Sequence, residues 1–391
     1  MLDKYYHLRI RSLTMFRFFL SFGCAFTLAM TMCVNHVSAA LLDGMLDGFE
    51  ESLSQKLAKK GEKLTVGNFY TPERADSHGP IGMMGEHTHN IGELMFSYRY
   101  MQMEMDGIRD GTSSLSHLDV RNRGYAVVPT YMRMQMHMFG AMYGVNETLT
   151  VTAMLPYIRN TMNHLAGMPL GAAKFQTRSE GAGDLKIGSL WRLYAFEAPS
   201  IGAHRFHFNF TVSLPTGDIT QKGTTPLGSI RLPYPMQLGS GTVEVLPGIT
   251  YGGAKDNFSW GFQTVGTYRI ARNKAGYSKG DEYEVNGYAA YAWTNWISNS
   301  VRFRWHQWFD YDGQDTRITR PTSPQLVFTA DPNLRGGKRL DITGGVNFLL
   351  PEILGLEHRV GVEGGVPIYQ NLDGPQLETD WMVMFGWQVI N

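Results

Sequence analysis

From Ile91 to the end of the chain, apolar and polar residues alternate with a period of two, the pattern of strands with one buried and one wet face. Phe206, Phe208, Phe210, Val212 and Leu214 alternate with Arg205, His207, Asn209, Thr211 and Ser213. Val301, Phe303, Trp305 and Phe309 alternate with Arg302, Arg304, His306 and Trp308, and Leu340, Ile342, Val346 and Phe348 with Arg339, Asp341, Thr343 and Asn347. The final run sets Leu377, Trp381, Val383, Phe385, Trp387 and Val389 on one face. In each run one face suits lipid and the other suits water.

The runs fall near 92–105, 122–139, 147–157, 184–196, 202–214, 241–252, 257–270, 284–294, 297–310, 339–350, 357–368 and 376–389. Tight joins (140–146, 197–202, 253–256, 294–296, 351–356) alternate with long ones rich in Gly, Pro, Asn and Asp (106–121, 158–183, 215–240, 271–283, 311–338). Short turns on one side, long loops on the other and an even strand count near twelve are the signature of a closed transmembrane barrel. Closure also leaves no unpaired edge. A soluble sandwich would alternate too, but it needs neither this loop rhythm nor an outward face so aromatic. Trp191, Trp293, Trp296, Trp381 and Trp387 suit the membrane–water boundary. The expected fold is all-β: an antiparallel transmembrane barrel of the outer-membrane type over 91–391, preceded by a short N-terminal helix.

The first forty residues read as an export leader. Arg9, Arg11 and Arg17 precede an apolar core from Phe18 to Val34, and Val37-Ser38-Ala39-Ala40 offers small residues for cleavage. Met15 is an alternative start that gives a leader of ordinary length. Past this segment no run of about 18 apolar residues occurs, so helical membrane spans are not expected. Both cysteines, Cys24 and Cys33, lie in the leader, which excludes disulfides and thiolate chemistry from residues 41–391. Lys+Arg and Asp+Glu each total 35, leaving no basic footprint for nucleic acid. Leu41, Leu42, Met45, Leu46, Phe49, Leu53 and Leu57 recur at helical spacing before Lys59-Lys60-Gly61, and residues 61–90 look irregular.

The stretch Met84-Gly85-Glu86-His87-Thr88-His89 through Gly92-Glu93, then Ser97-Tyr98-Arg99-Tyr100-Met101, resembles the opening of certain bacterial outer-membrane transporter proteins. These are grouped with the proteins named for the meta-cleavage pathway of phenol degradation. Leu214-Pro215-Thr216-Gly217, residues 232–241 (LPYPMQLGSG), Asp331-Pro332-Asn333-Leu334 and Gly374-Pro375-Gln376 match as well. The resemblance implies a barrel that passes small aromatic or hydrophobic molecules across the outer membrane. It brings no catalytic motif and no cofactor.

If the apolar faces point to lipid, Arg205, His207, Arg269, Arg302, Arg304 and His306 face the lumen as a basic wall. Glu363, Glu378, Asp380 and Glu104 then form an acidic one. Opposed walls would orient dipolar solutes; the plainer reading is that these charges pair and fill the interior. Fourteen of the 22 methionines lie between Met83 and Met168. Met132, Met134 and Met136, with His87, His89 and His137, offer the soft donors that suit Cu(I). However, the faces opposite the methionines carry Gln102, Glu104, Arg133 and Gln135, which assigns the methionines to lipid as apolar filling. No Gly-x-Ser-x-Gly, His-Glu-x-x-His or phosphate loop is present, so an enzyme is not expected. The expected partners are a small solute, outer-membrane lipid and, on the copper reading, Cu(I); self-association is left open.

Overall fold

The computed structural model describes residues 37–66, 74–167, 173–226, 228–319 and 325–391. The leader's basic segment and apolar core, and the choice between Met1 and Met15, lie outside them. The chain divides into two compact units: residues up to Val66 with Phe196–Ile201, and Gly67–Ala195 with Gly202–Asn391. In the first, helix α1 (Val37–Ala58) places Phe49 edge-on to Phe196, with ring centroids 5.8 Å apart. Thr65–Val66 pairs antiparallel with Phe196–Glu197 there. No helix among the described residues is long and apolar enough to cross a membrane.

The second unit is the barrel. Its strands are β1 (Leu94–Gly111), β2 (Val127–Gly144), β3 (Leu149–Ala166), β4 (Lys174–Ala182), β5 (Leu185–Ala198), β6 (Gly202–Leu214) and β7 (Glu244–Lys255). They continue with β8 (Phe258–Arg269), β9 (Glu282–Thr294), β10 (Ile297–Trp308), β11 (Gly337–Ile353) and β12 (Leu356–Ile390). Neighbours in sequence are neighbours in the sheet, and the ring closes where β12 meets β1. β4 and β5 run in series along β3, with Tyr157 opposite Ala182 and Met154 opposite Lys186, so together they make one stave.

β12 is 35 residues long, too long for one stave, and pairs in two directions. Its first arm lies against β11 (Ile353 with Leu356, Gly337 with Leu372) and its second against β1 (Leu372 with Gly111, Ile390 with Met95). The arms lie side by side: Arg359 Nη1 donates to Gln388 Oε1 at 2.7 Å, and the rings of His358 and Trp387 stack. Gly374, at φ +83, lets the chain reverse between them. With β4 and β5 as one stave and β12 as two, the described residues form a twelve-stave ring.

Alternation sets the two faces. Phe96, Phe139, Tyr143, Val151, Leu155, Phe258, Phe262, Val301, Phe303, Phe385 and Trp387 are exposed around the outside. Residues of the opposite parity, such as Met95, Thr150, His207, Gln263, Arg302 and Gln388, are buried inside. Tight connections at 145–148, 256–257, 295–296 and 354–355 mark one end, which is the periplasmic end by the loop-length rule. Segment 158–183, expected as a loop, is mostly strand. β3 continues to Ala166 and β4 pairs back along it, raising this side of the wall. Its outward residues (Arg159, Thr161, Asn163) are polar, so the apolar alternation that marks a strand fades there.

Candidate functional site: a plugged and capped lumen

The lumen has two unlike halves. On β6 to β12's first arm, charges interleave. Arg302 donates to Glu363 (Nη2–Oε1 2.7 Å), and Arg304 contacts Glu284 at 2.6 Å and Asp341 at 3.3 Å. Arg269 lies between Glu244 at 2.8 Å and Glu282 at 2.6 Å, and His306 Nε2 is 3.1 Å from Glu282. Arg205 and His207 face inward and bind backbone carbonyls, Ser77 O at 2.8 Å and Gly85 O at 2.9 Å. The charges therefore form a ladder of neighbouring pairs, not two opposed walls.

Three members of the expected acidic wall stand elsewhere. Glu104 shares the outward parity of Phe96 and is buried between Tyr131 and Arg133 on the outer wall. Glu378 pairs with Arg109, and Asp380 is exposed in the irregularity between Thr379 and Trp381. Two register shifts, at Leu377/Thr379 and Thr379/Trp381, break the period-two count that assigned them inward.

The other half of the lumen is methionine. On β1, Met101, Met103 and Met105 share the parity of inward Met95 and Arg99. On β2, Met132, Met134 and Met136 share that of Met138 and Met142. Register aligns them in rows across three or four staves: Met384–Met101–Met136, Met382–Met103–Met134 and Thr379–Met105–Met132–Met162. The lipid-facing assignment is thus reversed. Gln102, Glu104, Arg133 and Gln135 point outward at the level where the wall rises above its apolar band, so a polar residue there does not mark the lumen. His137 goes with them: it hydrogen-bonds the Tyr98 hydroxyl at 2.8 Å on the outer face and stands apart from the methionines. Met382 and Met384, which lie far along the chain, belong to the same surface.

Residues 74–90, irregular by sequence, cross the lumen at its periplasmic end as a plug. Irregular backbone inside a barrel needs partners for its polar groups, and the wall supplies them. Arg359 donates to Gly79 O at 2.6 Å, Gln263 to Met84 O at 2.9 Å, Ser259 to Asp76 O at 3.2 Å and Ser298 to Ala75 O at 3.0 Å. Gly82 N donates to Glu363 Oε2 at 2.7 Å, and His89 N to Thr150 Oγ1 at 2.9 Å. Ile81 lies over Gly361 and Gly386, where a Cβ at either position would crowd it. Gly85, at φ +60, turns the chain so that its carbonyl meets both His207 and Asn209.

The plug carries the expected His87 and His89, together with His78 and Glu86, which sequence reasoning did not single out. His87 Nδ1 lies 2.7 Å and His78 Nδ1 3.4 Å from Glu86 Oε1, and His87 Nε2 is 3.1 Å from His89 Nε2. Burial, reinforced by His87 and Arg359, holds the His78 imidazole well below its usual pKa. Burial likewise lowers His87 to about 4, against the pull of Glu86. Burial alone would raise Glu86, but the neighbouring imidazoles, His87 foremost and then His78, hold it well below the usual carboxylate range.

At the opposite end three loops pack into a cap. Tyr234, Tyr277, Ile318 and Ala330 form its core, and Arg231 meets Asp315 at 2.8 Å, both buried. From it Leu232 and Met236 descend onto Met132 and Met162. The long joins 215–240 and 311–338 both contribute; 158–183 contributes wall instead.

Such a structure is a transmembrane antiparallel β-barrel of the bacterial outer-membrane type, plugged below and capped above. Among solved structures, an outer-membrane channel of Pseudomonas putida F1 matches with a TM-score of 0.52 and 9% identity, over 79% of this chain and 99% of that one. The toluene transporter TbuX of Ralstonia pickettii matches at 0.38 and 12%, over 79% and 93%. The translocator domain of autotransporter NalP from Neisseria meningitidis matches at 0.37 and 9%, over 90% and 99%. At these identities the likeness is one of fold. No protein-family model and no curated protein matches the chain.

Proposed function

We propose that this barrel passes small apolar or aromatic solutes across the bacterial outer membrane, with the methionine rows as the sliding surface. The observation that carries this reading is the inward orientation of Met101, Met103, Met105, Met132, Met134 and Met136. Thioethers are polarisable and flexible, and each contact with an aromatic ring contributes roughly 0.3–1.5 kcal/mol, enough to admit a ring and weak enough to release it. The paired ladder opposite offers no unneutralised wall to attract ions. The resemblance to the meta-pathway transporters and the outer-membrane channel whose fold it shares point the same way. The test is uptake of toluene against glucose into vesicles holding the refolded protein. Entry of toluene that a Met103→Asp, Met134→Asp double variant abolishes supports the reading; equal entry by both proteins refutes it.

A second reading is favoured by the same orientation: thioethers converging on a lumen also suit Cu(I) or Ag(I). Changing Met132, Met134 and Met136 to Leu separates the two. Leucine preserves an apolar surface, so toluene entry persists, whereas passage of a soft cation is lost.

A further inference from the structure

We propose that His78, Glu86 and His87 form a divalent-cation site, of the kind zinc occupies, that ties the two ends of the plug together. The three residues are buried, each at most 4% exposed, and each offers a donor atom within 4.8 Å of the others. An ion about 2.0–2.1 Å from nitrogen and oxygen donors sets them about 2.8–3.4 Å apart, from octahedral to tetrahedral geometry. The measured separations, 2.7 and 3.4 Å, bracket that range.

Proton counting supports a cation here. His89 Nδ1 lies 3.3 Å from Glu93 Oε2, outside hydrogen-bond geometry, and the charge of that carboxylate favours the imidazole proton on its side, which leaves Nε2 as an acceptor. His87 then donates from Nε2 to His89, so its Nδ1 lone pair faces the Glu86 carboxylate, two acceptors 2.7 Å apart. A proton could bridge that one pair; a cation bridges both it and His78, the third donor on the same oxygen. Glu86 Oε2 is buried without a hydrogen-bond partner, an orphan that bidentate ligation would satisfy. His89 and Glu93 would then orient His87 from behind, as supporting groups do at metal sites. Arg99, Arg205 and Arg359 surround the cluster and oppose a positive ion. Their guanidiniums are turned onto plug atoms (Met84 Sδ, Ser77 O and Gly79 O), and the opposition makes the site one of moderate affinity. Two imidazoles and a bidentate carboxylate supply the four donors of a tetrahedral ion.

The consequence for conduction rests on the plug reading, but binding does not, so the two fail separately. The refolded full-length protein is titrated with Zn²⁺ by calorimetry, and with Co²⁺ by visible absorption, in the barrel's native detergent state. One ion per chain is expected, with affinity lowered at least tenfold by Glu86→Gln and by His78→Gln and unchanged by Met134→Leu. Glu86→Gln preserves shape, so heat-modifiable gel mobility should show it folded should His78→Gln fail. No saturable binding, or binding indifferent to Glu86→Gln, overturns the site. Binding as expected with chelator-independent conductance keeps the site and refutes only its role as a staple of the plug.

Discussion

Glu363 is where the wall and the plug share one carboxylate, and replacing it should separate their contributions. Its Oε1 accepts from Arg302 Nε at 2.8 Å and its Oε2 from Gly82 N at 2.7 Å, while Arg302 Nη1 donates to Asn286 at 2.8 Å. All three side chains are buried. Glu363→Ala leaves the Arg302 guanidinium buried without its counter-charge, a loss of about 3–5 kcal/mol. The Gly82 N–H loses its acceptor as well, about 1–3 kcal/mol of the plug's hold. The double variant Arg302→Met, Glu363→Leu removes both charges, and such replacements are close to neutral or stabilising. Its barrel should therefore recover to within about 1 kcal/mol of the parent. Its plug should still lack the Gly82 latch, and at tenfold per 1.4 kcal/mol its open population should rise roughly 5- to 150-fold. Urea unfolding in vesicles, followed by tryptophan emission, measures the first quantity, and single-channel open probability the second. A double variant as unstable as Glu363→Ala, or one that opens no more often than the parent, would refute the shared-latch account.

Gly386→Ala places a methyl group against Ile81 and in ordinary contact with the Arg99 stem at 3.4 Å. It should raise open probability while leaving the barrel's gel shift intact, and an unchanged trace would mean that Ile81 does not seat the plug. Leu354 stands at φ 57 beside Gly355 at φ 77 in the β11–β12 turn, almost fully exposed, a conformation that costs a branched residue about 1–2 kcal/mol and asparagine less. Leu354→Asn should raise stability by about 1 kcal/mol on that account, read from the urea midpoint. His87 is held at about 4 against a free value of 6.5, so the unfolded segment binds the proton first. The plug's stability is then full above pH 6.5 and declines as pH falls toward about 4, most steeply between those values. Metal-free protein should show rising conductance across that window, and His87→Gln should flatten the profile.

The strands, their number and the loop rhythm were legible because each stave crosses one apolar band, where parity and polarity coincide. The methionine face was misread where they part company. Above that band both faces of β1 and β2 meet polar surroundings, so Gln102 and Arg133 point outward without an apolar penalty. Parity counted from Phe96 or Phe139, deep in the band, would have assigned Met103 and Met134 correctly. Glu378 and Asp380 were misplaced by register shifts that leave no mark in a one-dimensional pattern. The plug was invisible for a different reason. Residues 74–90 have no period because their backbone groups are satisfied from several staves, and the partners (Ser259, Gln263, Arg359) lie 179 to 280 positions away.

Plug and cap close the same lumen at opposite ends, so under the proposed transport both must give way before the path is continuous. On the proposed transport reading the arrangement is an airlock, in which a solute admitted past the loops is held among the methionines while the floor is shut. A cell carrying such a protein keeps its permeability barrier through every state in which one door alone has moved.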